Sequence, residues 1–354
     1  MNGSHWGREI RRHPLPWAVG AALALAVAIV WVGRSWFGQS TPLARSHFQV
    51  IGFYENKTPG APAPSSRSSF LQHWRSLTTV SPRWFSVQAD GSVSDLGYDA
   101  SVAAFARRHH IALVPLVTNL GSAMLSTAAL RQTTAANLQR IVRHDRLAGV
   151  NIDFELLPAA DRTTLSDFVA DLRRRLGPDK IIAVSVFPLV GLPASINGAD
   201  DYGLLARWAN YLVIMAYDHH YSGGPPGAVA PYGWVEANVR RALTLVPADH
   251  LVLAIGMYGY DWVNNGAAGP AATVSDTAAQ ALARQHGLTP VYDRATSQNH
   301  FTYTAGGVSH VVWYMGDRSA AARVALARQY HLAGVALWRL GDEDPRFWRS
   351  LSGP

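Results

Sequence analysis

Short apolar runs rich in Val, Ile and aromatic residues recur along this chain at an interval of one strand plus one helix. They are Phe48–Tyr54, Val80–Val87, Ile111–Thr118, Leu147–Phe154, Ile181–Phe187, Tyr211–Tyr217, Leu251–Met257 and Ala333–Trp338. Runs of this length and composition read as strands. Between them lie helical patterns: Ser101–Arg108, Thr134–Arg143, Ala160–Leu176, Tyr202–Ala209, Val235–Leu245 and Ala320–Tyr330. The first seven runs start 30 to 40 residues apart, the size of a βα unit. Strand alternating with helix implies parallel strands covered by helices, and eight such strands fit a closed (β/α)8 TIM barrel of the α/β class. A doubly wound open sheet is the alternative, weakened by the absence of G-x-G-x-x-G and P-loop patterns.

About 80 residues separate the seventh and eighth runs. That gap predicts a small α+β insertion at roughly 264–313. It holds a helix, Ser275–His286, and strand-like pieces at Pro290–Tyr292, His300–Thr304 and Val308–Tyr314. Pro59–Ser69, rich in Pro and Ser, reads as a flexible loop.

The N-terminal stretch follows a different pattern. Arg8, Arg11 and Arg12 precede Leu15–Gly33, which carries no charge. As a helix it would run roughly 28 Å, about the thickness of a bilayer's hydrocarbon core. Pro16 falls in the first turn, where its missing N–H costs little. The basic flank comes first, so the expectation is a cytoplasmic segment at 1–14, a transmembrane signal anchor at 15–33, a linker at 34–45, and a barrel outside the membrane at 46–354. A cleaved signal peptide is the competing reading. Five arginines and one glutamate fall in residues 1–45, leaving 26 basic against 23 acidic residues for the rest. With no basic stripe carrying interleaved aromatics, nucleic acid is not an expected partner. The chain has no cysteine, which excludes disulfides, thiolate metal clusters and a cysteine nucleophile.

The most informative stretch is Gly149-Val150-Asn151-Ile152-Asp153-Phe154-Glu155. Side chains alternate faces along a strand, so Asn151, Asp153 and Glu155 project to one side. Three polar residues on one face of an otherwise apolar central strand are expensive to bury. In a barrel that face looks inward and the C-terminal strand end opens into the mouth. Glu155 would then sit at the rim, Asp153 a layer deeper and Asn151 deeper still. A partly buried Glu with a second carboxylate close by keeps its proton near neutral pH, as the general acid of glycoside hydrolysis must. Asp153 is too deep and too near to act as the partner carboxylate across a scissile bond. It is better placed to orient a substrate group and share a proton, and the nucleophile must come from the substrate, for example an N-acetyl oxygen. A buried hydrogen-bonded cluster without catalysis is the alternative on the pattern alone.

These residues resemble the signature of glycoside hydrolase family 18, D-G-x-D-x-D-x-E on the fourth strand of a TIM barrel. Here it reads from Ala148 to Glu155. The last Asp and the Glu match; Ala148 and Asn151 replace the first two acids. The form resembles the G-x-N-I-D-F-E subgroup of spore-cortex and peptidoglycan-acting members. Met215-Ala216-Tyr217-Asp218 is similar to the family's M-x-Y-D, Ser222–Pro231 to the loop that follows it, and Gly256–Trp262 to the seventh-strand segment. Gly334–Trp338 resembles the eighth-strand end, and Arg339–Pro345 the family 18 domains that precede polysaccharide deacetylase and glycosyltransferase domains. The resemblance implies a retaining, substrate-assisted glycosidase acting on β-linked N-acetylglucosamine glycans, chitin-like or peptidoglycan-like, with no cofactor or metal. It implies Glu155 as acid and base, with Asp153 and Tyr217 holding the acetamido group. Asn151, Asp218, Trp338, Phe53 and Tyr258 then fall to substrate binding, with Trp338 flooring the sugar site.

A glycan-binding barrel without turnover, assisting other envelope polysaccharide enzymes, is the alternative of a different class. The altered positions 148 and 151 favour it, whereas retention of Asp153 and Glu155 favours the enzyme. Asp218-His219-His220 and His109-His110 do not suit a metal, because adjacent histidines in a strand point to opposite faces.

Overall fold

The computed structural model describes residues 48–56, 65–263 and 270–351. The apolar stretch Leu15–Gly33 and its flanks lie outside them. Among the described residues no helix is long and apolar enough to cross a membrane.

Among the described residues fifteen strands follow in chain order: β1 (Gln49–Tyr54), β2 (Thr79–Val87), β3 (Val93–Asp95), β4 (Ala112–Leu113), β5 (Leu116–Asn119), β6 (Gly149–Asp153), β7 (Ile181–Val186), β8 (Tyr211–Ile214), β9 (Leu251–Gly256), β10 (Tyr258–Val263), β11 (Ala272–Ser275), β12 (Val291–Asp293), β13 (Gln298–Ala305), β14 (Val308–Tyr314) and β15 (Gly334–Trp338). Parallel pairing runs β1-β15-β9-β8-β7-β6-β5-β2, and β1 pairs with β2 to close the ring. Closure leaves none of the eight staves as a sheet edge, and the open-sheet alternative falls. The third stave is split into β4 and β5, where Pro115 has no N–H to give the ladder. An added strand, β3, folds back antiparallel on β2.

Alternation sorts each strand between two cores. Ile51 and Phe53 of β1, Val213 of β8 and Val252 and Ala254 of β9 fill the barrel interior. Val150 and Ile152 of β6 face outward into the larger layer under the helices. Helix Ala128–His144 begins six residues before its expected start, capped by Thr127, whose hydroxyl accepts the Leu130 N–H at 3.2 Å. Conversely, Tyr202–Leu205 is a single helical turn where a longer helix is expected. The C-terminal part of the expected flexible loop at 59–69 is not a loop. Residues 57–64 lie outside the described set, but Ser66–His73 is a helix, with the Ser65 hydroxyl accepting the Ser68 N–H.

The insertion starts earlier than the sequence spacing suggests. β10 begins two residues after β9 and already belongs to a separate antiparallel sheet, β11-β10-β14-β13-β12. Leu251–Val263 is almost unbroken apolar sequence, so no turn signal marks where the barrel strand stops. Helix Asp276–Gln285 packs Ala279 and Ala283 against Phe301, Val312 and Tyr314 of this sheet.

Gly149 is required by close approach: a Cβ there would overlap the Ile181 backbone of β7. Gly149→Ala should therefore lower stability by about 1–3 kcal/mol, read as a drop in calorimetric midpoint. An unchanged midpoint would mean that β6 can shift freely against β7.

Candidate active site

β6 ends at Asp153, and the chain leaves the ladder. Phe154 turns outward and stacks on Phe168 at 5.4 Å between ring centroids. Leu156 adopts φ +54°, so the backbone turns sharply just after Glu155. Glu155 is exposed at the mouth, Asp153 is 6% exposed and Asn151 is 1% exposed. The layering expected from alternation is the layering found.

A cleft of about 740 Å³ opens at the C-terminal end of the staves. Asp153, Glu155, Tyr217, Asp218, Phe53 and Trp338 all line it. Phe53 and Trp338 meet edge to face at 5.3 Å, which sets the partly exposed indole as a platform on the β15/β1 side. Such flat faces stack well on sugar rings. Tyr217 lies edge-on to Tyr258 at 6.1 Å.

Two residues assigned to substrate contact do not line the cleft. Asn151 stays below the surface, where its Oδ1 accepts from the Ser185 hydroxyl at 3.3 Å. Tyr258 sits on β10 behind Asp218 and donates to Asp218 Oδ1; Tyr260 donates to the same oxygen at 2.9 Å. The reason is the early start of the insertion, which turns β10 away from the barrel and makes its tyrosines a brace for Asp218. Asp218 itself adopts φ +61°, a conformation uncommon for a non-glycine residue and held here by those bonds.

The charges are crowded. Burial, then the Glu155 charge, pushes the Asp153 carboxyl well above the usual carboxylate range, with Ser185 and Arg83 opposing. Although Glu155 opens to solvent at the mouth, the hydration it loses inside the cleft, and then the Asp218 charge, raise its carboxyl. Burial raises Asp218 too, although its tyrosine donors work against the shift. Asp200, beneath the loop after β7, is pushed up to about 7, chiefly by burial, with Glu155 adding to it. Like charges held this close share protons rather than ionise together. Burial and neighbouring charge thus both favour the protonated form of the carboxyl at the mouth.

A direct consequence concerns pH. Asp218→Asn keeps an acceptor for both tyrosines but removes the charge that raises Glu155. The basic limb of the kcat/KM profile should move to lower pH, because an acid with a lower pKa loses its proton earlier. A limb that stays in place or moves up would contradict this charge arrangement.

Several cleft residues were not anticipated. Ser185 and Phe187 follow from inward alternation along β7 and could have been read. Leu192 and Tyr221 come from loops and Ile196 from the short helix Ala194–Asn197 after β7, where no periodicity points to the cleft. Phe187 is held at both backbone groups: its N–H donates to Asp200 at 2.7 Å, and its carbonyl accepts from the Tyr202 hydroxyl at 2.7 Å. Trp84 and Trp262 are buried, as ordinary packing expects. Among the described residues no group of three or more His, Asp or Glu is placed to hold a metal.

Comparison with known proteins agrees with this arrangement. A cortical fragment-lytic enzyme of Bacillus anthracis is 27% identical over 290 residues, 78% of this chain and 67% of that protein. The crystal structure of the Bacillus cereus spore cortex-lytic enzyme SleL superposes with a TM-score of 0.80 at 25% identity, covering 86% of this chain and 73% of the other. A chitinase from Chromobacterium violaceum superposes at 0.79 with 27% identity, covering 86% and 98%. The family pattern described as Glycosyl hydrolases family 18 matches residues 119–344. With that match across most of the barrel, and the acidic strand end opening into its mouth, this chain belongs to glycosyl hydrolase family 18 and is an O-glycosyl hydrolase.

Proposed function

We propose that the protein cleaves β-linked glycans containing N-acetylglucosamine by a retaining, substrate-assisted route, with Glu155 as acid and base. The observation that carries this reading is the meeting of Asp153, Glu155 and Tyr217 in one cleft with Trp338. Glu155 donates its proton to the glycosidic oxygen. The carbonyl oxygen of the substrate's own N-acetyl group attacks the anomeric carbon, the leaving sugar departs, and an oxazolinium ion forms. Asp153 faces the acetamido nitrogen and stabilises its growing positive charge, while the Tyr217 hydroxyl steadies the acetamido oxygen. Glu155, now a carboxylate, takes a proton from water, which opens the ring with overall retention. The two-carboxylate scheme of most glycosidases is not needed. A barrel that only binds glycan would have no use for two crowded carboxyls at the mouth.

The chitinase and cortex-lytic relatives bracket the substrate: an acetylated glucosamine polymer, as chitin or as peptidoglycan. The uncharged Leu15–Gly33 with its preceding arginines supports a single-pass anchor with the barrel outside the cytoplasm, where such polymers lie.

The test is incubation with N-acetylglucosamine oligomers and with their deacetylated counterparts, with products sized. Cleavage confined to the acetylated set is expected. Equal cleavage of both sets would overturn substrate assistance, and no cleavage of either would overturn the glycan class.

A further inference from the structure

We infer that Asn119 is a positioning residue that aims Glu155, by completing with its side-chain amide the backbone pairing that β6 abandons. This rests on the reading of Glu155 as the acid. The regular β5–β6 register ends at Thr118 opposite Asp153. Beyond it, Asn119 Oδ1 accepts the Glu155 N–H at 2.9 Å and Asn119 Nδ2 donates to the Glu155 carbonyl at 3.1 Å. The same Nδ2 donates to the Gly121 carbonyl at 2.9 Å. The Asn119 backbone meanwhile pairs with Val87 of β2, and the Leu120 N–H donates to the Val87 carbonyl at 3.0 Å. One residue thus ties the acid's backbone to a stave two places away.

Two observations make this clasp matter. Among the described residues the Glu155 carboxyl makes no hydrogen bond, so its direction follows from its backbone and rotamer. Immediately after it, Leu156 holds φ +54° with its side chain 65% exposed. Such a conformation persists only where the surroundings impose it, and the apolar contacts of an exposed leucine do not. The chemistry of position 119 is narrow. A group must accept from an N–H through one atom and donate to a C=O through a second, which a primary amide does and a carboxylate, a single hydroxyl oxygen or a methyl does not. Glutamine carries the amide but one methylene too far out.

The test uses the full-length protein and N-acetylglucosamine tetramer. Asn119→Ala should lower kcat about 10- to 100-fold, the scale of a misplaced reacting group. KM should stay within threefold, since the sugar platforms are untouched. Exchange of the Glu155 amide proton, followed by hydrogen–deuterium mass spectrometry, should accelerate. Asn119→Asp keeps the acceptor for that N–H but adds a negative charge near the acid. It should move the basic limb of the pH profile upward, an effect a merely structural role would not produce. A kcat within twofold of the parent, a loss carried only by KM, or unchanged amide exchange would overturn the inference. Should Asn119→Ala fail to fold, an unshifted pH profile in Asn119→Asp overturns it. If exchange accelerates while Glu155→Gln remains fully active, the clasp stands and the acid assignment falls.

Discussion

Hydrolysis of acetylated oligosaccharide by Glu155→Gln should fall by about 10²- to 10⁴-fold, the usual contribution of a positioned acid or base, while oligosaccharide binding persists. Glutamine matches glutamate in size and keeps its hydrogen-bonding reach, so the cleft is conserved. What it lacks is a transferable proton for the leaving oxygen and, later, a base for water. Both halves of the cycle stop at one residue. Binding should survive because the sugar platforms proposed above come from elsewhere: the indole of Trp338 and the edge of Phe53 lie on the β15/β1 side, away from the end of β6. Turnover is read by product sizing and binding by calorimetric titration. Undiminished hydrolysis would remove Glu155 from the mechanism, and loss of binding with turnover would make it a sugar contact instead.

The second large effect is expected at Asp153→Asn, with kcat lower by about 10²- to 10³-fold, the range found when one preorganised charge or donor is lost from a transition state. The substrate's acetamido nitrogen is neutral in the ground state and gains positive charge as the oxazolinium ion forms. A negative carboxyl opposite it therefore helps the transition state more than the bound substrate. An amide in its place retains shape and loses that differential. KM should change little and kcat should carry the loss. Asp153 is 6% exposed, so solvent does not substitute for the missing charge. A variant with parental kcat would show that Asp153 serves packing alone, and an equal rise in KM would mean that it binds ground state and transition state alike.

The barrel was legible because its staves are short apolar runs at βα spacing, and its chemistry because polar residues at alternate positions of a buried strand have few other reasons to be there. Asn151, Asp153 and Glu155 needed only the two-residue period of a strand to be placed in order of depth. The position of Tyr258 behind Asp218 was hidden for the complementary reason. In Leu251–Val263 the hydrophobic pattern runs on without a turn signal, so period and composition could not show β9 ending and β10 joining another sheet. Asp200 and Asn119 were equally hidden, since each acts through backbone groups of residues 13 and 36 positions away.

The one-dimensional pattern was therefore enough to determine the kind of fold, the stave that brings Asp153 and Glu155 to the cleft and the side to which they point. These depend on local period and on the cost of burying charge. Only the tertiary structure decided which carboxyls crowd one cleft, which aromatics line it and which brace Asp218, and which side chain pairs with the Glu155 backbone. Those follow from distances across the ring of staves, where electrostatic coupling falls with separation and a hydrogen bond forms only at contact.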